Sequence, residues 1–246
     1  GLSGDYSAWS EALAVSTGYD NQHILDKTRA ALLKVKNGEA AYERDSVLFD
    51  KIDYAWPVLA GLMWAASRSG GKLNVLDFGG SLGSTYYQHR AFFSMLAEVR
   101  WNIVEQPAYV ETGNKWFADE RLRFYANIED CLAETEPGVV LLSSVLQYLE
   151  HPYTILEQLF DLPCYHIIID RTPFWVGPDD RLCVQTVPPE IYSASYPSWI
   201  FSKRLFNSHI PADWRVIAEY TNADQLRAPV QLAYQGAIIA RSTDIS

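Results

Sequence analysis

Residues 75–84 constrain the fold more than any other part of the chain. A short apolar run ends in an acid and is followed by three glycines within five residues, in the order Val-Leu-Asp-Phe-Gly-Gly-Ser-Leu-Gly-Ser. This order is typical of a β-strand that turns tightly into a helix, because glycine adopts positive φ angles and lets a ligand approach the backbone closely. The first turn of such a helix also carries backbone N–H groups without intrahelical partners. We therefore predict a strand–loop–helix unit that binds a nucleotide-like ligand.

The spacing of the glycines separates two kinds of nucleotide loop. The dinucleotide fingerprint is Gly-x-Gly-x-x-Gly. Here the glycines are Gly79, Gly80 and Gly83, and Ser81 stands where the fingerprint has its middle glycine. A glycine-rich loop is a weak signal by itself, so a tight structural turn without any ligand is the alternative.

Composition and charge exclude several classes of protein. The 246 residues are 48% hydrophobic and 20% charged, which supplies a sizeable core and argues against global disorder. The net charge of −10 disfavours a nucleic-acid-binding surface, so no nucleic acid is expected as a partner. The apolar stretch 54–66 is interrupted by Pro57 and is too short to span a membrane.

The cysteines and the missing motifs narrow the chemistry further. Cys131, Cys164 and Cys183 are widely spaced and are expected to be buried free thiols of a reducing compartment. No signal peptide is visible, so a cytoplasmic location is expected. The chain contains no zinc-protease, EF-hand, P-loop or serine-hydrolase motif, and no metal site is predicted.

Residues 1–70 are predicted to form an N-terminal helical cap. Apolar residues recur at helical spacing from 22 to 35, with Asp20 or Asn21 as the N-cap. Residues 47–66 are predicted to form a second helical region, bent or restarted at its proline. Removal of the first 45 residues is expected to spare ligand binding at the predicted strand–loop–helix unit.

From residue 71 to 246, strand-like and helical runs alternate, which indicates an α/β domain with a parallel sheet. The Ser- and Gly-rich segment 67–71 is the predicted boundary with the cap. Five strands are predicted at 74–78, 101–105, 122–125, 139–143 and 165–170. Two further strands, at 214–220 and 234–241, have no helix between them and are expected to form an antiparallel pair.

An insertion at 175–210 is predicted between the fifth and sixth strands. It carries a group of aromatic and amide side chains, namely Gln185, Tyr192, Tyr196, Trp199, Phe201 and Phe206. Because loops at the ligand edge of a sheet often carry function, these residues are expected to form a lid over the active-site mouth. Packing of a peripheral helix is the alternative.

Three segments resemble a known family. Residues 77–83 are similar to motif I of the Rossmann-like methyltransferases that use S-adenosylmethionine (SAM), although Ser81 departs from their commoner Glu/Asp-x-Gly-x-Gly-x-Gly. Residues 143–152, Ser-Ser-Val-Leu-Gln-Tyr-Leu-Glu-His-Pro, are similar to the segment after their fourth strand. With the N-terminal Gly-Asp-Tyr-x-x-Trp-x-x-Ala of residues 4–12, the chain resembles a group of largely uncharacterised bacterial methyltransferases over nearly its whole length.

The resemblance implies a fold and a cofactor. The fold is a Rossmann-like, seven-stranded methyltransferase sheet whose last strand is antiparallel. The cofactor is SAM, and the acceptor is a small molecule or a glycan. The resemblance indicates no particular oligomeric state.

Candidate cofactor residues follow the predicted strands. Glu105, which lies 26 positions after Gly79, is expected to accept hydrogen bonds from ribose hydroxyls, and a solvated strand-end carboxylate is its alternative. Asp77 would brace the glycine loop or face the methionyl amine. Asn127 and Ile128 suit the amino edge and the face of the adenine, with a simple turn as the alternative.

The segment after the fourth strand supplies further candidates. Ser143, Ser144 and Gln147 would line the methionyl end of the cofactor, because ligands of open α/β sheets bind at the carboxyl ends of strands. Tyr148 would face the acceptor.

Candidate catalytic residues are Tyr148, His151 and Arg171. Arg171 would bind an anionic group of the acceptor, or else pair with Asp170 or Asp179. His151 would be a general base for a hydroxyl acceptor, with His89 as a weaker candidate, since imidazole titrates near neutrality. Each histidine has a structural role as its alternative.

The function hypothesis is therefore a SAM-dependent methyltransferase. Two alternatives come from other classes. A nicotinamide-dependent oxidoreductase would also place an acid at Glu105, but the dinucleotide fingerprint and a Tyr-x-x-x-Lys pair are missing. A non-catalytic scaffold that retains the fold would tolerate Ser81 in the loop.

Overall fold

A computed structural model describes residues 1–17, 21–188, 191 and 194–244. The predicted N-cap Asp20 and the predicted lid residue Tyr192 lie outside the described residues. The chain forms two compact units. Unit 1 falls within 1–20, 143–162 and 169–246, and unit 2 falls within 21–142 and 163–168.

The strands, in chain order, are β1 (Leu2–Tyr6), β2 (Tyr42–Arg44), β3 (Val47–Phe49), β4 (Lys72–Phe78), β5 (Glu98–Val104), β6 (Leu122–Tyr125), β7 (Val139–Ser143), β8 (His166–Trp175), β9 (Arg181–Thr186), β10 (Ser195–Ser202), β11 (Trp214–Thr221) and β12 (Ala233–Arg241). The α-helices are α1 (Trp9–Ala14), α2 (Asn21–Lys36), α3 (Trp56–Arg68), α4 (Ser84–His89), α5 (Pro107–Trp116), α6 (Ile128–Glu134), α7 (Pro152–Phe160) and α8 (Lys203–Ser208). Short 3-10 helices occupy Arg90–Phe93, Leu146–Tyr148 and Ser242–Asp244.

Unit 2 is built on parallel strands in the order β7-β4-β5-β6. Their sequences are nearly continuous apolar runs, and the residues of β7 from 139 to 142 are all buried. Strands of this kind are buried on both faces of a sheet, as the α/β class requires. The predicted α/β fold with a mostly parallel sheet is confirmed.

The helices α2 and α3 share one core with this sheet. Leu32 of α2 and Leu62 of α3 are buried in the same cluster as Val75 of β4 and Trp101 of β5. Both predicted helical regions therefore contain a helix. Because α2 contributes to this core, removal of the first 45 residues would expose apolar surface beneath the sheet.

Residues 47–49 correct the helical prediction for 47–66. They form β3, which pairs antiparallel with β2 in a hairpin. Asp45 and Ser46 join the two strands with φ angles of 51° and 67°, the positive values that a two-residue hairpin turn of the primed type requires. Pro57 lies in the first turn of α3, so a helix does begin at this proline, where proline fits without losing a helical hydrogen bond.

Unit 1 contains strands that the sequence did not predict, namely β1, β9 and β10. Its order is β1-β9-β10-β8, in which β9 is antiparallel to both neighbours and β10 is parallel to β8. The strand β12 pairs with both β8 and β11, and β11 and β12 form the predicted antiparallel pair. The insertion at 175–210 therefore contains β9, β10 and the short helix α8. At the N-terminus, where only helices were predicted, the chain begins with the strand β1.

Truncation of a core side chain in α3 tests whether the N-terminal helices belong to the core of unit 2. Leu62 is fully buried, so Leu62→Ala is expected to lower the free energy of unfolding by about 2–5 kcal/mol. Leu48, which is 37% exposed on the hairpin, is the control, and Leu48→Ala should cost about 0.5 kcal/mol or less. Urea denaturation measures the free energy of unfolding of both variants, and an equal decrease in the two would contradict this packing.

Candidate cofactor site

The loop between β4 and α4 has the backbone that its glycines predict. Gly79, Ser81 and Gly83 have φ angles of 72°, 55° and 104°. The Gly79 N–H donates to the carbonyl of Val104 (2.9 Å), and the Gly83 N–H donates to that of Gly80 (3.1 Å). Of these three residues, only Ser81 is not a glycine. A left-handed conformation costs a non-glycine residue roughly 1–2 kcal/mol. Another contact must therefore stabilise the loop at this position.

That contact comes from Glu105, which directly follows β5. Its Oε1 accepts a hydrogen bond from the Ser81 N–H (3.0 Å), and its Oε2 accepts one from the Gln106 N–H (2.8 Å). The parallel register that pairs Phe78 with Val104 brings the two strand ends together. Burial raises the pKa of the Glu105 carboxyl above its ordinary value. The structure thus brings Glu105 to the glycine loop, while its contact with a ribose stays a prediction.

Asp77 lies beneath the loop. It is 2% exposed and accepts a hydrogen bond from the indole Nε1 of Trp101 (2.9 Å). A Cβ atom added to Gly80 would lie 2.3 Å from Asp77 Oδ2, so only glycine fits above this carboxyl. Burial raises the pKa of Asp77 to about 7. Of the two predicted roles, this geometry supports bracing of the loop, and the contact with a methionyl amine stays a prediction.

Asn127 and Ile128 begin α6. The Asn127 Oδ1 accepts from the Asp130 N–H (2.7 Å), and its Nδ2 donates to the Asp130 carboxylate (2.9 Å). Asn127 is therefore the N-cap of the helix, a role that its side chain favours. Ile128 is buried at 4% exposure. Their predicted contacts with an adenine stay predictions.

In unit 1, the predicted polar residues after β7 form one network. The Ser143 hydroxyl donates to Asp170 Oδ2 (2.8 Å), and the Ser144 N–H donates to the Asp170 carbonyl (3.0 Å). The Gln147 Nε2 donates to Ser144 Oγ and to the carbonyl of Arg171, both at 3.2 Å. Gln147 is fully buried, and its Oε1 has no hydrogen-bond partner among the described residues.

Asp170 organises this network and was not among the predicted site residues. It is 3% exposed, and it also accepts hydrogen bonds from the Tyr220 hydroxyl (3.1 Å) and from Asn222 Nδ2 (2.9 Å). The available signal was an acid at the end of a buried apolar strand. Its partners Tyr220 and Asn222 are about 50 residues away in sequence, and no local pattern indicates them.

Arg171 pairs with a residue that the sequence analysis did not consider. Its guanidinium contacts Asp224 through Nη2 (2.9 Å) and Nε (3.1 Å), and both side chains are about four-fifths buried. The backbone N–H of Arg171 donates to Asn222 Oδ1 (3.1 Å). The observed ion pair is therefore with Asp224, and not with the Asp170 or Asp179 that the alternative named. A role in binding an acceptor anion stays a prediction, and it would require Arg171 to share its charge with Asp224.

Tyr148 contacts the inserted strands. Its hydroxyl donates to Gln185 Oε1 of β9 (3.1 Å), and its ring stands edge-on to that of Tyr196 of β10 at 5.3 Å. Trp199 of β10 stacks on Trp9 of α1 at 6.2 Å. The aromatic residues of the insertion therefore meet both the N-terminal segment and the turn at 146–148 within unit 1.

The two candidate histidines differ in environment. His151 is exposed and immediately precedes α7. His89 is fully buried, and its Nε2 accepts a hydrogen bond from the Ala55 N–H (3.2 Å). The Nδ1 of His89 therefore carries the proton and donates to the Thr85 carbonyl (2.9 Å). Because both ring nitrogens bind backbone groups, His89 has the structural role that was its alternative.

Three further expectations can be compared with the described residues. The three cysteines are buried thiols, as predicted. Within residues 1–17, 21–188, 191 and 194–244, no cluster of three His, Cys, Asp or Glu side chains is arranged to hold a metal ion. In the same residues, none of the helices has the length and apolarity needed to cross a bilayer.

Comparison with known proteins shows the fold. No protein-family model matches the sequence, and no curated protein matches it. Among solved structures, the N-terminal domain of EvdMO1 with S-adenosylhomocysteine (SAH) and D-fucose is similar, with 12% identity over 91% of this chain and 97% of that chain and a TM-score of 0.52. The [4+2]-cyclase SpnF is similar with 11% identity over 89% of this chain and 94% of that chain and a TM-score of 0.51.

A third structure is magnesium protoporphyrin IX methyltransferase (ChlM) from Synechocystis PCC 6803 with bound SAM. It has 12% identity over 76% of this chain and 79% of that chain, with a TM-score of 0.49. Identities this low show the fold alone. The chain therefore shares a Rossmann-like α/β fold with the EvdMO1 domain and with SpnF, and its activity has to be argued from the residues.

The raised pKa of Asp77 predicts a pH dependence of stability. The folded-state pKa of about 7 exceeds the ordinary value of 3.8, so the folded protein binds more protons between these values. Its contribution to stability is therefore complete below about pH 4 and is lost as the pH rises through about 7. Asp77→Asn keeps an acceptor for Trp101 and removes the ionisation. The free energy of unfolding, measured by urea denaturation, should fall less between pH 5 and pH 8 in this variant than in the wild type. An equal fall in both proteins would contradict the assignment of this pKa to Asp77.

Proposed function

We propose that the protein is a SAM-dependent methyltransferase that acts on a small-molecule or glycan-type acceptor. The observation that carries this proposal is the contact between the Glu105 carboxylate and the glycine loop at Ser81 (3.0 Å). A carboxylate in this position after the second strand of a Rossmann-like sheet suits the hydroxyls of a ribose. Glu105 is only partly buried, so a ligand that lies along the loop could still reach its carboxylate.

The residues of unit 2 fit an adenosyl cofactor. Gly79, Gly80 and Ser81 form a backbone cradle that Asp77 supports from below. Glu105 would accept hydrogen bonds from the ribose, and Ile128 would pack on the adenine with Asn127 at its amino edge. When bound, SAM would supply an activated methyl group on a sulfonium centre. The contribution of the protein is then to hold and orient the reactants, which lowers the barrier by several kcal/mol.

In unit 1, Gln147 is the strongest candidate for a ligand contact. A buried polar atom without a partner costs free energy, and the Gln147 Oε1 is such an atom among the described residues. A hydrogen-bond donor such as an ammonium group would satisfy it. The methionyl contacts of Gln147, Ser143 and Ser144 are therefore part of this proposal.

The acceptor is proposed to contact the cluster of Tyr148, Gln185 and Tyr196. The rings of Tyr148 and Tyr196 offer flat apolar faces, and their hydroxyls and the Gln185 side-chain amide offer hydrogen-bonding groups at the edges. Such surfaces suit a sugar-like ring or an aromatic ring. The EvdMO1 domain, which has a similar fold, was crystallised with D-fucose, and this supports a sugar-like acceptor.

The remaining roles are proposed from chemistry. His151 is exposed and would serve as general base for a hydroxyl acceptor. Arg171 would bind an acceptor anion while it keeps its contact with Asp224. A bacterial origin and a cytoplasmic location complete the proposal.

One observation favours a second candidate function. A neighbour with a similar fold is a [4+2]-cyclase, so this fold also supports a reaction other than methyl transfer. The chain would then catalyse a rearrangement or cyclisation. Release of SAH from SAM in the presence of an acceptor separates the two functions, because only methyl transfer produces it.

Removal of the Glu105 carboxylate tests the cofactor site. A hydrogen bond to a charged group contributes about 1.5–3 kcal/mol, so Glu105→Ala should weaken SAH binding on the order of tenfold to a hundredfold. Glu98→Ala is the control, since Glu98 lies exposed at the start of β5, far from the loop end of that strand, and its carboxylate lies 3.8 Å from Lys72 Nζ. Calorimetric titration measures all three proteins. Failure of the folded wild type to bind SAH would overturn the proposed function.

Loss of the Tyr148 hydroxyl tests the acceptor cluster. Tyr148→Phe should lower kcat/KM for methyl transfer to a responsive sugar or phenol by about tenfold, because one hydrogen bond to Gln185 is lost. The dissociation constant of SAH should not change. The exposed Tyr165 provides the control variant Tyr165→Phe. Unchanged transfer by Tyr148→Phe, measured with radiolabelled SAM, would remove this cluster from the acceptor site.

A further inference from the structure

A buried carboxylate joins the β2–β3 hairpin to the helix that follows the glycine loop. Glu43 of β2 is 2% exposed. Its Oε2 accepts a hydrogen bond from the Ser84 hydroxyl (2.6 Å), and its Oε1 accepts one from the Ser46 N–H (2.7 Å). Burial raises the pKa of this carboxyl. Ser84 is the first residue of α4 and directly follows Gly83 of the loop.

Neighbouring side chains add to this connection. The hydroxyls of Thr28 in α2 and Ser46 in the hairpin turn are 2.9 Å apart. On the next turn of α4, Gln88 Nε2 donates to the Tyr42 hydroxyl (3.3 Å) and to the carbonyl of Asp53. The N-terminal segment of unit 2 therefore holds α4 at its first turn and again near its end.

Packing does not explain an acid at position 43. A buried carboxylate costs free energy, and an apolar side chain of similar volume often fills such a place without loss of stability. What the carboxylate adds is direction, because its two oxygens bind the hairpin turn through Ser46 and the start of α4 through Ser84. Its position therefore fixes where the helix begins relative to the loop.

We propose that Glu43 is a positioning residue for the cofactor loop, acting through Ser84, and that the β2–β3 hairpin and the occupied loop stabilise each other. This inference rests on the proposed function, since the loop is taken to bind SAM. It differs from the expectation that removal of residues 1–45 spares binding at the glycine loop. Coupling between two sites is reciprocal, so a hairpin that stabilises the binding form of the loop must itself be stabilised by the ligand.

The first part of the test uses substitutions and calorimetric titration with SAH. Glu43→Ala should weaken SAH roughly tenfold, and Ser84→Ala should weaken it severalfold. Glu43→Gln should restore nearly the full affinity, because its amide can accept from the Ser46 N–H and donate to Ser84 Oγ. Ser94→Ala is the control, as the exposed Ser94 hydroxyl donates to the carbonyl of the nearby Ala91 (3.1 Å).

The second part uses a measurement that a merely structural role would not change. In the wild type, SAH should slow amide hydrogen exchange in residues 42–49. In Glu43→Ala, SAH should no longer slow exchange in these residues, but it should still slow exchange in the glycine loop. If Glu43→Ala does not fold, Ser84→Ala carries both measurements.

The outcomes separate this proposal from the proposed function. A wild type that binds SAH, together with Ser84→Ala and Glu43→Ala variants of unchanged affinity, would overturn the positioning role alone. Absence of SAH-induced protection of the hairpin in the wild type would do the same. A folded wild type that does not bind SAH would overturn both proposals.

Discussion

The glycine loop of unit 2 needs support from outside its own backbone. Three of its residues adopt positive φ angles, and one of them, Ser81, is not a glycine. The Glu105 carboxylate binds the Ser81 N–H, and the buried Asp77 occupies the space that a side chain at position 80 would need. These two acids keep the strand end and the helix start in one arrangement. The candidate site of unit 2 depends on this arrangement.

Both acids are held in environments that disfavour their charge. Burial raises the pKa of Asp77 to about 7 and raises that of Glu105, and the proximity of Glu105 contributes to the shift at Asp77. A cofactor that donates hydrogen bonds to Glu105 would favour its ionised form. The loop thus combines backbone strain with carboxyl groups of raised pKa, and such combinations occur often at functional sites.

Local patterns in the sequence predicted much of this region. The apolar run of β4, the glycines and the acid after β5 lie close together in the chain, and their geometry follows from the strand–loop–helix unit. The antiparallel pair at the C-terminus was also predictable, because no helix separates its two strands. Helical periodicity located α2, and its observed range differs by one residue at each end from the predicted one.

The remaining features depend on contacts between distant parts of the sequence. The pairing of β1 with β9 joins residues about 180 positions apart, and no local pattern in either strand indicates it. Residues 47–49 were predicted as helix because their apolar character matches both a helix and a strand, and only the turn at Asp45 and Ser46 distinguishes the two. The partner of Arg171 could not be chosen among several acids, since Asp224 lies 53 residues further along the chain.

The fold allows more than one chemistry, so the central claim concerns the ligand of the glycine loop. A crystal structure of the protein grown with SAH tests this claim most directly. Our account predicts that the ribose hydroxyls lie within hydrogen-bond distance of the Glu105 carboxylate and that the cofactor runs along the loop at residues 79–83. Electron density for SAH at another surface, or a Glu105 side chain without any contact to it, would contradict the account.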